Sequence, residues 1–87
     1  MKRLPPYDVA IAISKMAVFN AARKRERKAL LDFFDRLAAD PFQESDWTIE
    51  DSTGRTHYRA LVGRHLVTWW ADHAVREVRI AKLEPVY

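Results

Sequence analysis

The chain has 87 residues, of which 48% are hydrophobic and 31% are charged, and its formal net charge is +3. This hydrophobic content excludes a disordered chain, and the length predicts a single domain over residues 1–87 with a thin core. The absence of cysteine excludes disulfides and thiol chemistry. No apolar run reaches the ~20 residues of a membrane helix, so we expect a cytoplasmic protein with no membrane partner. The positive charge is compatible with a polyanionic partner but does not identify one.

The first half of the chain is predicted to form a strand and then helices. Residues 7–14, "YDVAIAIS", alternate like a half-buried strand, and Ser14 suits a helix N-cap. Residues 15–39 have helical composition and contain no Gly or Pro. The basic run "RKRERK" at 23–28 interrupts the apolar stripe, which favours a helical hairpin over one long helix. Pro41 ends the helical segment, because proline disfavours helical geometry in the residue before it.

The second half is predicted to be a four-stranded antiparallel meander. Its strand-like runs are "DWTIED", "THYRALV", "HLVTWWA" and "VREVRIAKL", separated by turns at Gly54, at Gly63 and at "DHA". A helical layer must cover one face of this sheet. The sequence therefore predicts an α+β domain of two layers, with an N-terminal strand, the helical segment and then the meander.

Alternation along the strands sorts the side chains into two faces. In the third and last predicted strands, one set of alternate residues is apolar. If this set packs on the helices, the other set forms a positive face that carries His57, Arg59 and Arg79. The consecutive Trp69 and Trp70 must point opposite ways, so one of them belongs to the core. These positions make the uncovered sheet face the candidate functional surface.

Four motifs follow this order of elements: "LLDFFDRLAADPF" at 30–42, "HYRALVG" at 57–63, "LVTWWAD" at 66–72 and "VRIAKLEPVY" at 78–87. In order and spacing they resemble the RelE/ParE family of bacterial toxins, over nearly the whole chain. Members are neutralised by an antitoxin; the RelE-like branch cuts mRNA on the ribosome, and the ParE-like branch inhibits DNA gyrase. The resemblance implies the toxin of a type II toxin–antitoxin system, a metal-independent endoribonuclease that inhibits translation. Its partners would be a cognate antitoxin, the ribosome and mRNA. A gyrase inhibitor or a non-catalytic, antitoxin-binding member is the alternative.

The resemblance also implies catalytic residues. Arg59 matches the family's "YR", Tyr87 matches its final "VY", and Lys82 lies in the segment where members carry a basic pair. The sequence departs from the family at "GRHLV", where His65 or its neighbour stands in place of a common arginine, and the basic pair is reduced to one lysine. The candidate catalytic residues are Arg59, His65, Lys82 and Tyr87.

Cleavage of RNA needs a base for the 2′-hydroxyl, an acid for the leaving oxygen and cations for the phosphate. His57 and His65 can exchange protons near neutral pH, and arginine grips phosphate through two parallel hydrogen bonds. The chemistry needs no cofactor, and the histidines lack the spacing of metal ligands. Residues expected to bind RNA or rRNA are His57, Arg64, Arg79, Arg23, Lys24 and Arg25.

The same side chains have structural explanations that the sequence leaves open. Arg59 and Arg79 could pair with Glu50 or Glu77 across strands. Tyr87 could equally anchor the end of the chain by packing.

Overall fold

The computed structural model of the protein describes residues 7–43 and 45–86. The elements in these ranges are β1 (Asp8–Ile11), α1 (Ile13–Ala21), α2 (Lys24–Ala39), β2 (Trp47–Glu50), β3 (Thr56–Val62), β4 (His65–Asp72) and β5 (Glu77–Pro85). Ala22 and Arg23 are extended between the helices, so the predicted helical hairpin is confirmed and one long helix does not form. Neither helix of the described part of the chain combines the length and hydrophobicity that crossing a membrane requires.

All the described strands belong to one mixed sheet with the order β1-β5-β4-β3-β2. β2, β3, β4 and β5 pair antiparallel with their neighbours in the chain, so the predicted four-stranded meander is confirmed. β1 lies parallel to β5, with Val9 opposite Val78, a pairing that the order of elements in the sequence does not specify. The α+β class is confirmed, and β1 and β2 form the two edges of the sheet.

The core lies between α2 and one face of the sheet. The buried residues of α2 follow the i, i+3, i+4, i+7 spacing that places them on one side of a helix; they are Leu30, Phe33, Phe34 and Leu37. The ring of Phe33 lies 5.3 Å from that of the fully buried Trp69 in an edge-to-face contact. Within the described residues the helices cover only this face. We call the other one the open face.

The helical segment begins earlier than predicted. The prediction of Ser14 as the N-cap is wrong, since α1 begins at Ile13 and Ala12 occupies the N-cap position without a side-chain hydrogen bond. The pairing of β1 with β5 ends at Ile11, so the chain turns into the helix directly afterwards. As a result Ile13, which the alternation grouped with the strand, is 90% exposed. α2 ends before the Asp-Pro pair, as predicted.

A β-bulge between β4 and β5 determines which cations share the open face. Thr68 lies opposite Lys82, whereas Trp69 lies opposite Ile80, so β5 has one extra residue at this point. A bulge changes the direction of the side chains beyond it. Arg79 and Lys82, three residues apart, therefore both project from the open face.

Candidate nucleic-acid interface

Two of the predicted catalytic residues lie in one line across the open face. Arg59 on β3 is opposite Thr68 on β4, and Thr68 is opposite Lys82 on β5. We call Arg59, Thr68 and Lys82 the basic row. Adjacent strands are about 4.8 Å apart, so the Cα atoms of the two cations are about 10 Å apart. Arg59 Nε donates to Thr68 Oγ1 at 3.1 Å, which orients the guanidinium along the row.

A second line of side chains lies beside the basic row and centres on Trp70. Trp70 is opposite Arg79, whose guanidinium is 5.7 Å from the centre of the indole ring. On the other side the ring of His57 is 6.5 Å away, and the Arg55 guanidinium lies 3.8 Å over the indole. We call His57, Trp70 and Arg79 the aromatic row. Cations combined with aromatic rings are typical of surfaces that bind single-stranded nucleic acid.

The two arginines differ in their partners. Arg79 Nε lies 2.8 Å from Glu77 Oε1, so the expected pair forms, along β5 rather than across strands. Arg59 bonds to a neutral hydroxyl and has no ion pair with Glu50 or any other described residue. The charge of Arg59 is therefore the less compensated of the two, which makes it the better candidate for binding a phosphate.

His57 is held by Asp51, which is not among the candidate residues predicted from the sequence. Oδ2 of Asp51, in the loop between β2 and β3, lies 3.1 Å from His57 Nε2. Oδ1 of Asp51 accepts hydrogen bonds from the Thr53 amide, the Thr53 hydroxyl and the Arg55 amide. The Thr53 hydroxyl is the largest of the causes that hold the pKa of Asp51 well below its usual range, so Asp51 is a carboxylate at neutral pH. The available sequence signal was "DSTGR", since Asp before turn residues often bonds to nearby backbone amides.

His65 lies on the opposite side of the sheet from the basic row. It shares the helix-facing side of β4 with Val67 and Trp69, and it is only 5% exposed. Its Nδ1 is buried and has no hydrogen-bond partner among the described residues. The structure therefore does not bring His65 together with Arg59 and Lys82. The sequence signal that could have placed His65 on the helix-facing side is its alternation along β4 with the apolar Val67 and Trp69.

Three of the predicted RNA-binding residues form a separate group where α1 meets α2, which we call the helix corner. They are Arg23, Lys24 and Arg25. Arg23 precedes α2, and Lys24 and Arg25 are exposed in its first turn. Arg23 and Arg64 line a cavity of about 510 Å³, together with His65 and small side chains of α1. The structure thus groups Arg23 and Arg64 with His65 rather than with the open face.

Two further predictions concern Tyr87 and metal binding. Tyr87 lies outside the described residues, so its catalytic role stays a prediction from the resemblance. The preceding Val86 amide donates to the backbone oxygen of Arg64 at 2.7 Å. Within residues 7–43 and 45–86, no three His, Asp or Glu side chains come together in an arrangement that could hold a metal ion.

Comparison with known proteins identifies the fold. No family model matches the sequence, and the search of curated proteins gives no match. A chain of the archaeal RelE–RelB complex from Pyrococcus horikoshii is similar with a TM-score of 0.79 and 23% identity, over 92% of this chain and 94% of that chain. A chain of the toxin–antitoxin complex RelBE2 from Mycobacterium tuberculosis is similar with a TM-score of 0.75 and 16% identity, over 92% of this chain and 98% of that chain. The expected RelE/ParE-like fold is confirmed, and the chain has the fold of the RelE toxins.

Proposed function

We propose that the chain is the toxin of a type II toxin–antitoxin pair and that it inhibits translation by cleaving mRNA on the ribosome. The observation that carries the proposal is the basic row on the open face, in which Thr68 orients Arg59. The likeness in fold to chains of RelE-containing toxin–antitoxin complexes supports the toxin assignment. The motifs "HYRALVG" and "VRIAKLEPVY" support the ribonuclease assignment by resemblance.

The chemistry follows from the charges of the basic row. Attack of a ribose 2′-oxygen on the adjacent phosphate builds negative charge on the phosphate oxygens, and fixed cations stabilise it. Arg59 can meet two of these oxygens with parallel hydrogen bonds, and Lys82 supplies a second positive charge from the same row. By resemblance, Tyr87 would stack on a base or donate a proton. This mechanism uses no metal ion.

The aromatic side chains of the open face would hold the nucleotides that flank the cleaved bond. Trp70 is half-buried between the cations of Arg55 and Arg79, and Trp47, opposite Arg59, is 53% exposed. Stacking of a base on an aromatic ring contributes about 1–3 kcal/mol and tolerates any base. We therefore assign Trp47 and Trp70 to RNA binding rather than to the chemical step.

The helix corner is a second surface, which we assign to the phosphates of ribosomal RNA. Lys24 and Arg25 place positive charge in the first turn of α2, where the helix dipole disfavours cations. Helix stability therefore does not explain these side chains. Together with Arg23 and Arg64 they would contact rRNA phosphates without touching the cleaved message.

Replacing Arg23, Lys24 and Arg25 together with glutamine is expected to weaken ribosome binding. The logarithm of the binding constant for the ribosome decreases with the logarithm of the salt concentration. The steepness of that decrease should become smaller by about 0.7–0.9 for each phosphate contact removed. Co-sedimentation with ribosomes over a series of salt concentrations measures this slope. A control variant with Lys28 and Arg36 changed to glutamine should keep the wild-type slope, and equal losses in the two variants would contradict the assignment.

We further propose that a cognate antitoxin covers the open face. Three large apolar side chains are exposed there, Trp47 at 53%, Ile49 at 40% and Leu61 at 51%. Contiguous exposed apolar surface usually marks an interaction site. Because Trp47 is opposite Arg59, a protein covering this strip would also block the basic row. That geometry would couple antitoxin binding to loss of activity.

Induced expression in a bacterial host tests the proposed function. We expect growth arrest with cleaved mRNA and unchanged plasmid supercoiling, and rescue when a small neighbouring gene is expressed as the antitoxin. Growth arrest with intact mRNA and altered supercoiling would favour the gyrase inhibitor instead. Normal growth together with binding to the neighbouring gene product would favour a non-catalytic member of the fold.

A further inference from the structure

We infer that Asp51 is a positioning residue, which fixes the tautomer of His57 so that His57 accepts the proton of the attacking 2′-hydroxyl. The inference rests on the proposed ribonuclease function and adds to it a proton acceptor on the open face. His65 is the other histidine considered for this role, and its side chain is on the helix side of the sheet.

Asp51 is fixed in place by the loop that it caps. Its Oδ1 accepts from the Thr53 amide at 2.8 Å, from the Thr53 hydroxyl at 2.6 Å and from the Arg55 amide at 3.1 Å. The Asp51 amide in turn donates to the Arg55 backbone oxygen at 3.0 Å, which closes the loop. With Oδ1 occupied by three donors, Oδ2 remains to face His57 Nε2 at 3.1 Å.

This contact determines which nitrogen of His57 is the base. An ionised carboxylate can only accept hydrogen bonds, so Nε2 of the neutral imidazole carries the proton and Nδ1 keeps its lone pair. Nδ1 has no hydrogen-bond partner among the described residues, and the His57 side chain is 19% exposed. When Nδ1 takes a proton, the imidazolium forms beside the negative charge of Asp51, which stabilises it.

The position of His57 suits attack on a phosphate that the basic row holds. His57 and Arg59 are two residues apart on β3, so they lie on the same face with Cα atoms about 7 Å apart. One nucleotide can therefore place its ribose at the imidazole and its phosphate at the guanidinium. The charged groups around the imidazole are Asp51 and Arg55 of the loop and Arg59 and Arg79 of the strands. Its uncharged neighbours are Ile49 on β2 and Trp70 on β4.

The proposed step balances in atoms and protons. Nδ1 of His57 takes the proton of the 2′-hydroxyl as the bond from O2′ to phosphorus forms and the bond from phosphorus to O5′ breaks. The departing O5′ takes a proton from a water molecule, and the imidazolium returns its proton to the hydroxide that remains. The products are a 2′,3′-cyclic phosphate and a 5′-hydroxyl end.

Asp51→Asn separates positioning from a purely structural role. Asparagine keeps an oxygen for the loop amides but can turn its NH₂ toward Nε2, which would favour the tautomer with the proton on Nδ1. We expect ribosome-dependent cleavage at neutral pH to fall about 10²- to 10⁴-fold in Asp51→Asn and in His57→Gln, the usual contribution of a general base. The double variant should be no slower than His57→Gln.

A spectroscopic measurement tests the same inference without activity. Long-range ¹⁵N–¹H spectra of neutral His57 should show the proton on Nε2 in the wild type and on Nδ1 in Asp51→Asn. Asp32→Asn, an exposed change on α2, is the control for both experiments. A wild-type cleavage rate in Asp51→Asn, or an unchanged tautomer, would overturn the inference alone. No cleavage by the wild type would overturn the ribonuclease proposal as well.

Discussion

Arg59→Ala is expected to lower ribosome-dependent mRNA cleavage by about 100- to 1,000-fold, the usual loss when one donor to a developing oxyanion is removed. Arg59 is the cation of the open face whose hydrogen-bond partner among the described residues is a neutral side chain, the Thr68 hydroxyl. Its charge is therefore available for the phosphate. Because the side chain is not part of the core, the variant should fold normally and bind ribosomes as the wild type does.

Two comparison variants make the Arg59 prediction specific. Arg59→Lys keeps the charge but loses the two parallel hydrogen bonds, so its rate should lie between those of the wild type and the alanine variant. Lys28→Ala removes an exposed positive charge on α2, paired only with Asp32 in the described structure, and should cleave at the wild-type rate. Primer extension on translated message gives all three rates. Equal loss in Arg59→Ala and Lys28→Ala would reject a local role for the guanidinium.

Trp69→Ala should be the most damaging change to the core and should lower the free energy of unfolding by about 3–5 kcal/mol. The indole is 0% exposed and contacts the rings of Phe33 and Tyr58. Its Nε1 has no hydrogen-bond partner among the described residues, so the loss is one of packing. A domain of this size has about 5–15 kcal/mol of stability in total, so the variant would be close to unfolding.

The adjacent tryptophan provides the matched control for this prediction. Trp70 lies on the open face and is half-buried, with cations rather than core side chains over its ring. Trp70→Ala should cost about 1 kcal/mol, the scale of an exposed cation–π contact. Urea denaturation followed by circular dichroism measures both variants. Similar losses for the two tryptophans would contradict the assignment of faces.

Side-chain alternation predicted much of the open face. It placed Arg59 and His57 correctly on β3, because that strand is regular and its inward residues are apolar. It also required that one of two consecutive tryptophans be buried, and Trp69 is that residue. Local composition likewise predicted the helical hairpin, since the basic run at 23–28 leaves no apolar side chain to bury.

The remaining features depend on contacts that the sequence does not show. Arg79 and Lys82 are three residues apart, and a regular strand would place them on opposite faces; the bulge in the pairing of β5 with β4 brings them together. His65 was selected because it lies near a position where family members often carry an arginine. The alternation of side chains along β4 places it on the helix-facing side, where it is buried. Asp51 reaches His57 only because the loop between β2 and β3 turns back on itself.

Purified protein in a cell-free translation reaction, with mRNA ends mapped by primer extension, shows whether the protein cleaves message on the ribosome. We expect new ends that appear only on message being translated and that weaken strongly in Arg59→Ala. Messages that stay whole while the folded wild-type protein is present at ribosome-equivalent concentration would contradict the ribonuclease proposal.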